Sequence, residues 1–164
     1  MSLFDKLSSR GRDDKPAIPG EPIVYRPIGV VHNRVKESRP SGWEDVRSEI
    51  VLLDELAPAL EAIEGFSHLI IVYHLDRVPE DVRRLQLPVG NEIPPPDRGV
   101  LATRSQLRPN PIGVSVVQLL GRDGVVLQVN GLDALDGTPV LDVKPYLPEY
   151  DVYDATLPSW ALRR

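Results

Sequence analysis

A mainly β chain, folded as a sandwich or barrel of about six or seven strands, is what the amino-acid sequence predicts, and three observations carry that expectation. Short apolar runs rich in β-branched residues recur from Pro22 onward. Gly, Pro, Asp or Asn separates them, which is the punctuation of hairpins and turns and not of βαβ units. The length of 164 residues, 41% hydrophobic and 26% charged, suits one core and leaves little for a second.

Residues 1–20 are polar, carry Gly11, Pro16, Pro19 and Gly20, and show no sustained apolar period, so a flexible arm is expected there. A single domain follows over 21–151, and 152–164 are expected to form a tail. Within the domain the runs 28–31, 50–53, 69–73, 100–101, 114–117, 125–129 and 140–143 each read as a strand. Arg122-Asp123-Gly124 is a hairpin turn between two of them. The segment 54–65 departs from this pattern. Its apolar residues Leu56, Leu60 and Ile63 fall at helical spacing, with an early Pro58 and a terminal Gly65, and a short amphipathic helix is expected. Residues 77–98 hold Pro79, Pro88 and Pro94-Pro95-Pro96 among few apolar positions, so they are expected to cross the surface as a long, partly polyproline loop.

Composition removes whole classes of chemistry. There is no cysteine, so disulfides, thiol nucleophiles and thiolate-held metals are excluded, and a reducing compartment is expected. No run approaches the roughly 18 apolar residues of a membrane helix, and Met1-Ser2-Leu3-Phe4-Asp5-Lys6-Leu7 lacks the core of a signal peptide, so a cytoplasmic protein without a membrane partner is expected. A formal charge of −5 argues against nucleic-acid binding through bulk charge but leaves room for a local basic site. The 17 prolines, roughly twice the usual ~5%, mark either disorder or rigid loops.

Two segments concentrate the candidate chemistry. From Arg98 to Ser115 the chain holds Arg98, Arg104 and Arg108 and no acid, and Pro109 and Pro111 stiffen the loop that carries Arg104, Arg108 and Asn110. Guanidinium groups without acidic neighbours suit a carboxylate or phosphate, although pairing with distant acids is the plainer alternative. Residues 131–148 place Asp133, Asp136 and Asp142 within ten positions. Asp136-Gly137 is also a turn signal, and the spacing is wrong for a hard-metal loop, so no metal is expected. His68 and His74 bracket an apolar strand, a placement commoner for structural histidines than for bases. No phosphate-binding glycine loop or Ser-His-Asp order occurs.

The strings GVLATRSQLRPNPIG (99–113) and GLDALDGTPVLDVKPYLPEYD (131–151), preceded by RPIGVV (26–31) and EGFSHLIIVYHLD (64–76), resemble the TrmO family of tRNA (adenine-37-N6)-methyltransferases, also called YaeB or TsaA-like. The resemblance covers about residues 23–151. It implies a compact TsaA-like β-barrel with one short helix and long Pro-rich loops, working as a homodimer. It further implies S-adenosylmethionine (SAM) as methyl donor, no metal, and a tRNA anticodon loop as partner. The acceptor would be N6 of threonylcarbamoyl-adenosine at position 37 of a threonine tRNA. Carried over by motif, the SAM contacts are Ser41, Gly42 and Trp43; Asp76 and Arg77; Arg104; Val114 through its backbone; and Asp133, Ala134, Leu135 and Asp136. Arg104 suits a carboxylate, the aspartates suit an ammonium or ribose hydroxyls, and Leu135 suits the adenine. The exocyclic N6 is a weak nucleophile, so positioning and a proton acceptor are required of the protein. Asp136 is assigned to orient SAM or to accept the proton, and Asn110 and Arg108 to hold the adenosine or its phosphate. The same loops would equally serve a SAM- or nucleoside-binding barrel without turnover, or a methyltransferase with another acceptor.

Overall fold

The computed structural model describes residue 20 and residues 22–161. The expected arm 1–20, apart from Gly20, and residues 162–164 of the expected tail lie outside the described residues.

Six strands close into an antiparallel barrel: β1 (Gly29–His32), β2 (Arg47–Leu52), β3 (His68–His74), β6 (Ile112–Asp123), β7 (Val126–Asn130) and β8 (Pro139–Pro145). Their order around the wall is β1-β2-β7-β6-β3-β8, and β8 returns to β1. Closure leaves each strand a neighbour on both sides and protects the short strands from edge pairing. The alternation that sequence periodicity requires is met along β3, where Leu69, Ile71 and Tyr73 face inward while Ile70 and Val72 face out. Val31, Ile50, Leu52, Val117, Leu127, Val129 and Val140 complete the interior. Burial of each such aliphatic side chain contributes about 1.5–3 kcal/mol, which is what holds strands this short together. The hairpin from β6 to β7 turns at Gly124-Val125, because Arg122 and Asp123 of the expected turn still belong to the β6 ladder, and Gly124 has a φ of 58° that few side chains tolerate.

Three local expectations are corrected. The segment 54–65 is not an α-helix but two 3-10 turns, Asp54–Leu60 and Ile63–Gly65. Pro58 has no N–H to donate and its ring opposes the carbonyl four residues back, so a 13-atom ladder cannot run through it. Ala62, at φ 64°, then breaks the segment in two. Leu60 is still buried, so the apolar spacing was meaningful even though the helix type was not. Val100-Leu101 is a 3-10 turn, Val100–Ala102, and not a strand; Val100 is buried and Leu101 exposed, and two apolar residues are too few to form a ladder. The Pro-rich excursion carries its own two-stranded ribbon, β4 (Gln86–Pro88) with β5 (Asp97–Gly99). Trp160 caps this ribbon, lying 4.7 Å from the guanidinium carbon of Arg98. Among the described residues one α-helical turn is present, α1, Pro148–Asp151.

Candidate functional site

The site arises from a mismatch in strand length. β7 ends at Asn130, paired with Gln118, whereas β6 begins at Ile112. The first half of β6 therefore has a ladder partner only on the β3 side, where Ile112 to Gln118 pair with His74 to His68. Leu119 donates its N–H to Ser67 O and Leu75 donates to Pro111 O, so the odd-numbered residues of this stretch turn their peptide groups toward β3. By the alternation of an antiparallel ladder, Val114 and Val116 turn theirs to the open side. That open side is a cleft of about 1390 Å³, walled by residues 38–41, 43 and 44, by 104–106 and 108, and by Tyr73, Gly131 and Asp133. A recess of about 130 Å³ adjoins it, between Leu75, Asp76, Arg77 and Val78 on one side and Asp133, Ala134 and Leu135 on the other.

The far wall is tied down residue by residue. Leu132 and Ala134 are buried in the core, which presents Asp133 between them to the cleft. The Tyr73 hydroxyl donates to Asp133 O at 2.6 Å and shares a 3.0 Å hydrogen bond with Ser115 Oγ. Burial, the largest effect, pushes the Tyr73 hydroxyl above its ordinary pKa. A register shift between β3 and β8 falls between Val72 and Tyr73, the kind of bulge that re-aims a side chain. Asn33 links three segments: its Nδ2 donates to Ser48 Oγ (3.1 Å) and Ala134 O (2.9 Å), and its N–H donates to Asp136 Oδ1 (3.0 Å).

Asp136 also pairs with the Lys36 ammonium through Oδ2 and lies 3.6 Å from His32 Nδ1. The Lys36 hydrogen bond, then the Asn33 N–H, holds its carboxyl down to about 2. Arg77 donates to Lys36 O (2.8 Å) and Asp136 O (2.7 Å), which fastens the β1–β2 loop to the β7–β8 loop. Asp133 is shifted the other way: desolvation raises its pKa, and the Arg39 charge only partly opposes this. The two aspartates of one loop are thus electrostatically distinct, one spent on structure and one held more basic than usual.

The near walls carry the arginines. Arg108 donates from Nε to Ser105 O (2.8 Å) and from Nη2 to Thr103 O (2.6 Å), and Leu107 N–H donates to Ser105 Oγ (3.2 Å), so this loop holds its own shape. Arg104 is exposed on the cleft and takes part in no hydrogen bond or ion pair among the described residues. On the opposite wall the Arg39 guanidinium lies 4.9 Å from the Trp43 ring centroid and donates to Gly42 O, while Trp43 Nε1 donates to Arg39 O at 3.1 Å. Gly42, at φ 81°, makes the turn that allows both contacts.

Of the residues singled out by sequence, Ser41, Trp43, Arg104, Arg108, Val114 and Asp133 line the cleft. Asp76, Arg77, Ala134 and Leu135 line the recess with Trp43 and Asp133. Gly42 and Asp136 stand behind the lining as turn and tether. Asn110 lines neither space and is exposed between Pro109 and Pro111. Sequence reading missed Tyr73, Asn33 and Ser115. A signal existed for Tyr73, which shares the inward phase of Leu69 and Ile71 and carries a polar tip that demands a partner. His68 sits at the far end of β3 against Ser67 Oγ (2.9 Å) and Tyr146, away from the cleft. Among the described residues there is no group of three or more side chains fit to hold a metal, and no helix is long and apolar enough to cross a membrane.

Comparison with known proteins locates this arrangement. Residues 34–152 match the family model described as the tRNA-methyltransferase O N-terminal domain, TrmO_N. A probable S-adenosyl-L-methionine-binding protein of Pyrococcus abyssi is 41% identical over 143 residues, covering 84% of this chain and 76% of that protein. The tRNA (adenine(37)-N6)-methyltransferase of Escherichia coli is 38% identical over 140 residues, covering 76% of this chain and 57% of the enzyme. A crystal structure of TrmO from Pseudomonas aeruginosa superposes with a TM-score of 0.66 at 33% identity, covering 83% of this chain and 62% of that one. The chain thus spans about three-fifths of the length of the Escherichia coli enzyme and of that crystallised protein. With the barrel, the motif order and the family model in agreement over most of its residues, the chain belongs to the TrmO family.

Proposed function

We propose that this chain binds SAM across the recess and the adjoining cleft and methylates N6 of adenosine 37 in a tRNA anticodon loop, the acceptor being the threonylcarbamoyl-adenosine of a threonine tRNA. The observation that carries the reading is the pairing of a small, mostly apolar recess with a much larger cleft. Small-molecule pockets are commonly about 300–1,000 Å³, so a 1390 Å³ cleft beside a 130 Å³ recess has room for a cofactor and a second, larger ligand. The relatives named as SAM-binding proteins and as a tRNA (adenine(37)-N6)-methyltransferase supply the identity of the two ligands.

The residues fit the cofactor. Trp43, Leu75, Val78, Ala134 and Leu135 offer the recess an apolar lining for adenine. Arg104, without a partner of its own, suits the carboxylate, and Asp133 or the open-edge peptide groups of Val114 and Val116 suit the ammonium and ribose. Bound there, SAM supplies an electrophilic methyl group. The protein's part is to orient N6 and to take its proton. Asp136 is already committed to Lys36 and Asn33 with a carboxyl near 2, which favours its orienting role over that of base. Asp133, whose carboxylate faces the cleft and is more basic, is the better acceptor. Arg108, which lines the cleft, and the exposed Asn110 two residues on are assigned to the acceptor.

A homodimer is part of the same reading. The outer faces of β3 and β6 expose Ile112, Val114 and Val116 beside the half-exposed Ile70 and Val72, an apolar block for which a second copy is the proposed cover. Such a protein would work in the cytoplasm, where its tRNA resides.

Purified protein with labelled SAM and total tRNA, followed by nucleoside mass spectrometry, tests the reading. Methylated threonylcarbamoyl-adenosine is expected. SAM binding in a calorimetric titration without methylation of any tRNA would instead identify a ligand-binding barrel.

A further inference from the structure

We infer that Arg39, mounted on Trp43, holds an oxyanion carried by the acceptor, so that it selects the second ligand of the cleft and not the cofactor. This rests on the proposed function above, since it assigns one wall of the same site.

SAM carries a sulfonium, an ammonium and one carboxylate, a net charge of +1. Three guanidinium groups, Arg39, Arg104 and Arg108, line the cleft, against the carboxylates of Asp133 and Glu44. One arginine is enough for the single carboxylate of SAM. The lining carries three positive charges against two negative ones, so with a cationic cofactor bound the site keeps an excess of positive charge unless the other occupant brings negative charge with it.

With Arg104 given to the carboxylate of SAM, Arg39 is the remaining group with donors to spare. Arg108 already spends Nε and Nη2 on the carbonyls of its own loop. Arg39 spends Nη2 on Gly42 O, and its Nε is buried without a partner among the described residues. Nη1 makes no hydrogen bond among the described residues and is the nitrogen left open to a ligand, whereas the buried Nε is closed off. Stacking over the Trp43 ring fixes the plane of the guanidinium, so its fork is set before a ligand arrives. No ion pair among the described residues involves Arg39. A planar fork with a free edge at the rim of a ligand cleft is built for bidentate capture of a carboxylate or phosphate. Both sources are present on the proposed acceptor: a backbone phosphate of the anticodon loop, or the carboxylate of the threonylcarbamoyl group.

Two anticodon stem-loops, identical except that one bears threonylcarbamoyl-adenosine and the other adenosine at position 37, are compared on wild type, Arg39→Ala and Arg39→Lys. SAM affinity is measured in parallel by calorimetry, and Trp43 fluorescence checks that the loop keeps its place. Arg39→Ala is expected to raise the KM for the acceptor about tenfold or more while SAM affinity stays within about twofold; Arg39→Lys, which keeps the charge but not the fork, recovers part of the loss. A penalty on the modified RNA alone assigns the carboxylate, and an equal penalty on both assigns a phosphate. The inference is overturned if Arg39→Ala weakens SAM binding as much as acceptor binding, or leaves both acceptor KM values unchanged. If the wild type methylates neither RNA, the proposed function falls, and binding of the two RNAs to the protein saturated with S-adenosylhomocysteine decides the role of Arg39 by the same criteria.

Discussion

The ring of Tyr73 lies across Gly113, its partner on β6, so closely that a Cβ at position 113 would come within 2.2 Å of Tyr73 Cε2. The glycine is what lets the tyrosine lie flat enough for its hydroxyl to reach Asp133 O and Ser115 Oγ. Packing and site geometry meet in this pair. Gly113→Ala is expected to cost about 1–3 kcal/mol through overpacking and to weaken SAM binding, because Asp133 loses its tether. Tyr73→Phe isolates the second effect: the ring stays, the hydroxyl goes, the Asp133 carbonyl loses its donor and the Ser115 hydroxyl its acceptor, at about 1–3 kcal/mol. Urea denaturation and calorimetric titration of both variants check this, and a Tyr73→Phe protein with the stability and SAM affinity of the wild type would disprove the tether.

Asp136 gives a prediction in the acid range. Its carboxyl lies near 2 when folded, against an ordinary value of 3.8. Between those values the folded state binds fewer protons than the unfolded one, so stability rises with pH across that interval. The contribution is complete above about pH 4 and is lost as pH falls through about 2. Asp136→Asn should therefore be less stable than wild type at neutral pH, and the gap should close as acid is added. Lys36→Met should behave in the same way, because the Lys36 hydrogen bond is the largest cause of the depression. Acid unfolding followed by circular dichroism measures the gap, and one that does not change with pH would refute the coupling.

Much of this arrangement is legible in the sequence, and its limits have physical causes. Six of the seven β-branched runs lie in barrel strands because alternation and turn residues are local signals. Val100-Leu101 failed because two residues cannot report a period, and 54–65 because Pro58 permits the apolar spacing but not the α-helical ladder. The candidate site was legible as two dense motifs. The cleft between them was not, since it depends on β7 ending at Asn130 opposite Gln118, a fact of register between distant strands. The division of labour between Asp133 and Asp136 is equally non-local: Asp136 receives the N–H of Asn33, 103 positions away.

Asp133 should govern the pH dependence of turnover. As proton acceptor it must be ionised, and burial raises its pKa above the ordinary 3.8, so the rate should fall on the acid side at a higher pH than an exposed aspartate would give. Asp133→Asn preserves shape and is expected to lower turnover by about 10²–10⁴-fold while abolishing that limb. The Arg39 charge lowers the Asp133 pKa, so Arg39→Gln should move the limb to higher pH. A pH–rate profile that is the same in wild type and Asp133→Asn would remove Asp133 from the proton path.

Arg104 and Asn110 should separate cofactor from acceptor. Arg104 faces the cleft with no partner among the described residues, and loss of a charge-assisted hydrogen bond to a carboxylate costs about 1.5–3 kcal/mol. Arg104→Ala should accordingly weaken SAM binding by roughly 10- to 150-fold in a titration. Asn110 is exposed between two prolines, outside the lining of both spaces, so Asn110→Ala should spare SAM binding, and its assignment to the acceptor predicts reduced turnover. Wild-type turnover in both variants would refute both assignments.

The outer face of the barrel wall makes the last prediction. Val114 and Val116 are 52% and 51% exposed, and their cross-strand partners are Val72 and Ile70, so four aliphatic side chains form one contiguous block on the solvent side of β3 and β6. Ile112, 41% exposed, extends it, and the block borders the cleft that Ile112, Val114 and Val116 also line. A charge at the centre of an apolar interface must be desolvated without a partner, whereas the same charge on a free surface costs almost nothing. Val116→Glu should therefore dissociate a homodimer built on this face while leaving the barrel folded, because the side chain points away from the core. Size-exclusion chromatography with light scattering distinguishes the outcomes. A dimer that survives Val116→Glu with its wild-type dissociation constant would place the interface elsewhere, and a monomeric wild type would dispose of the dimer.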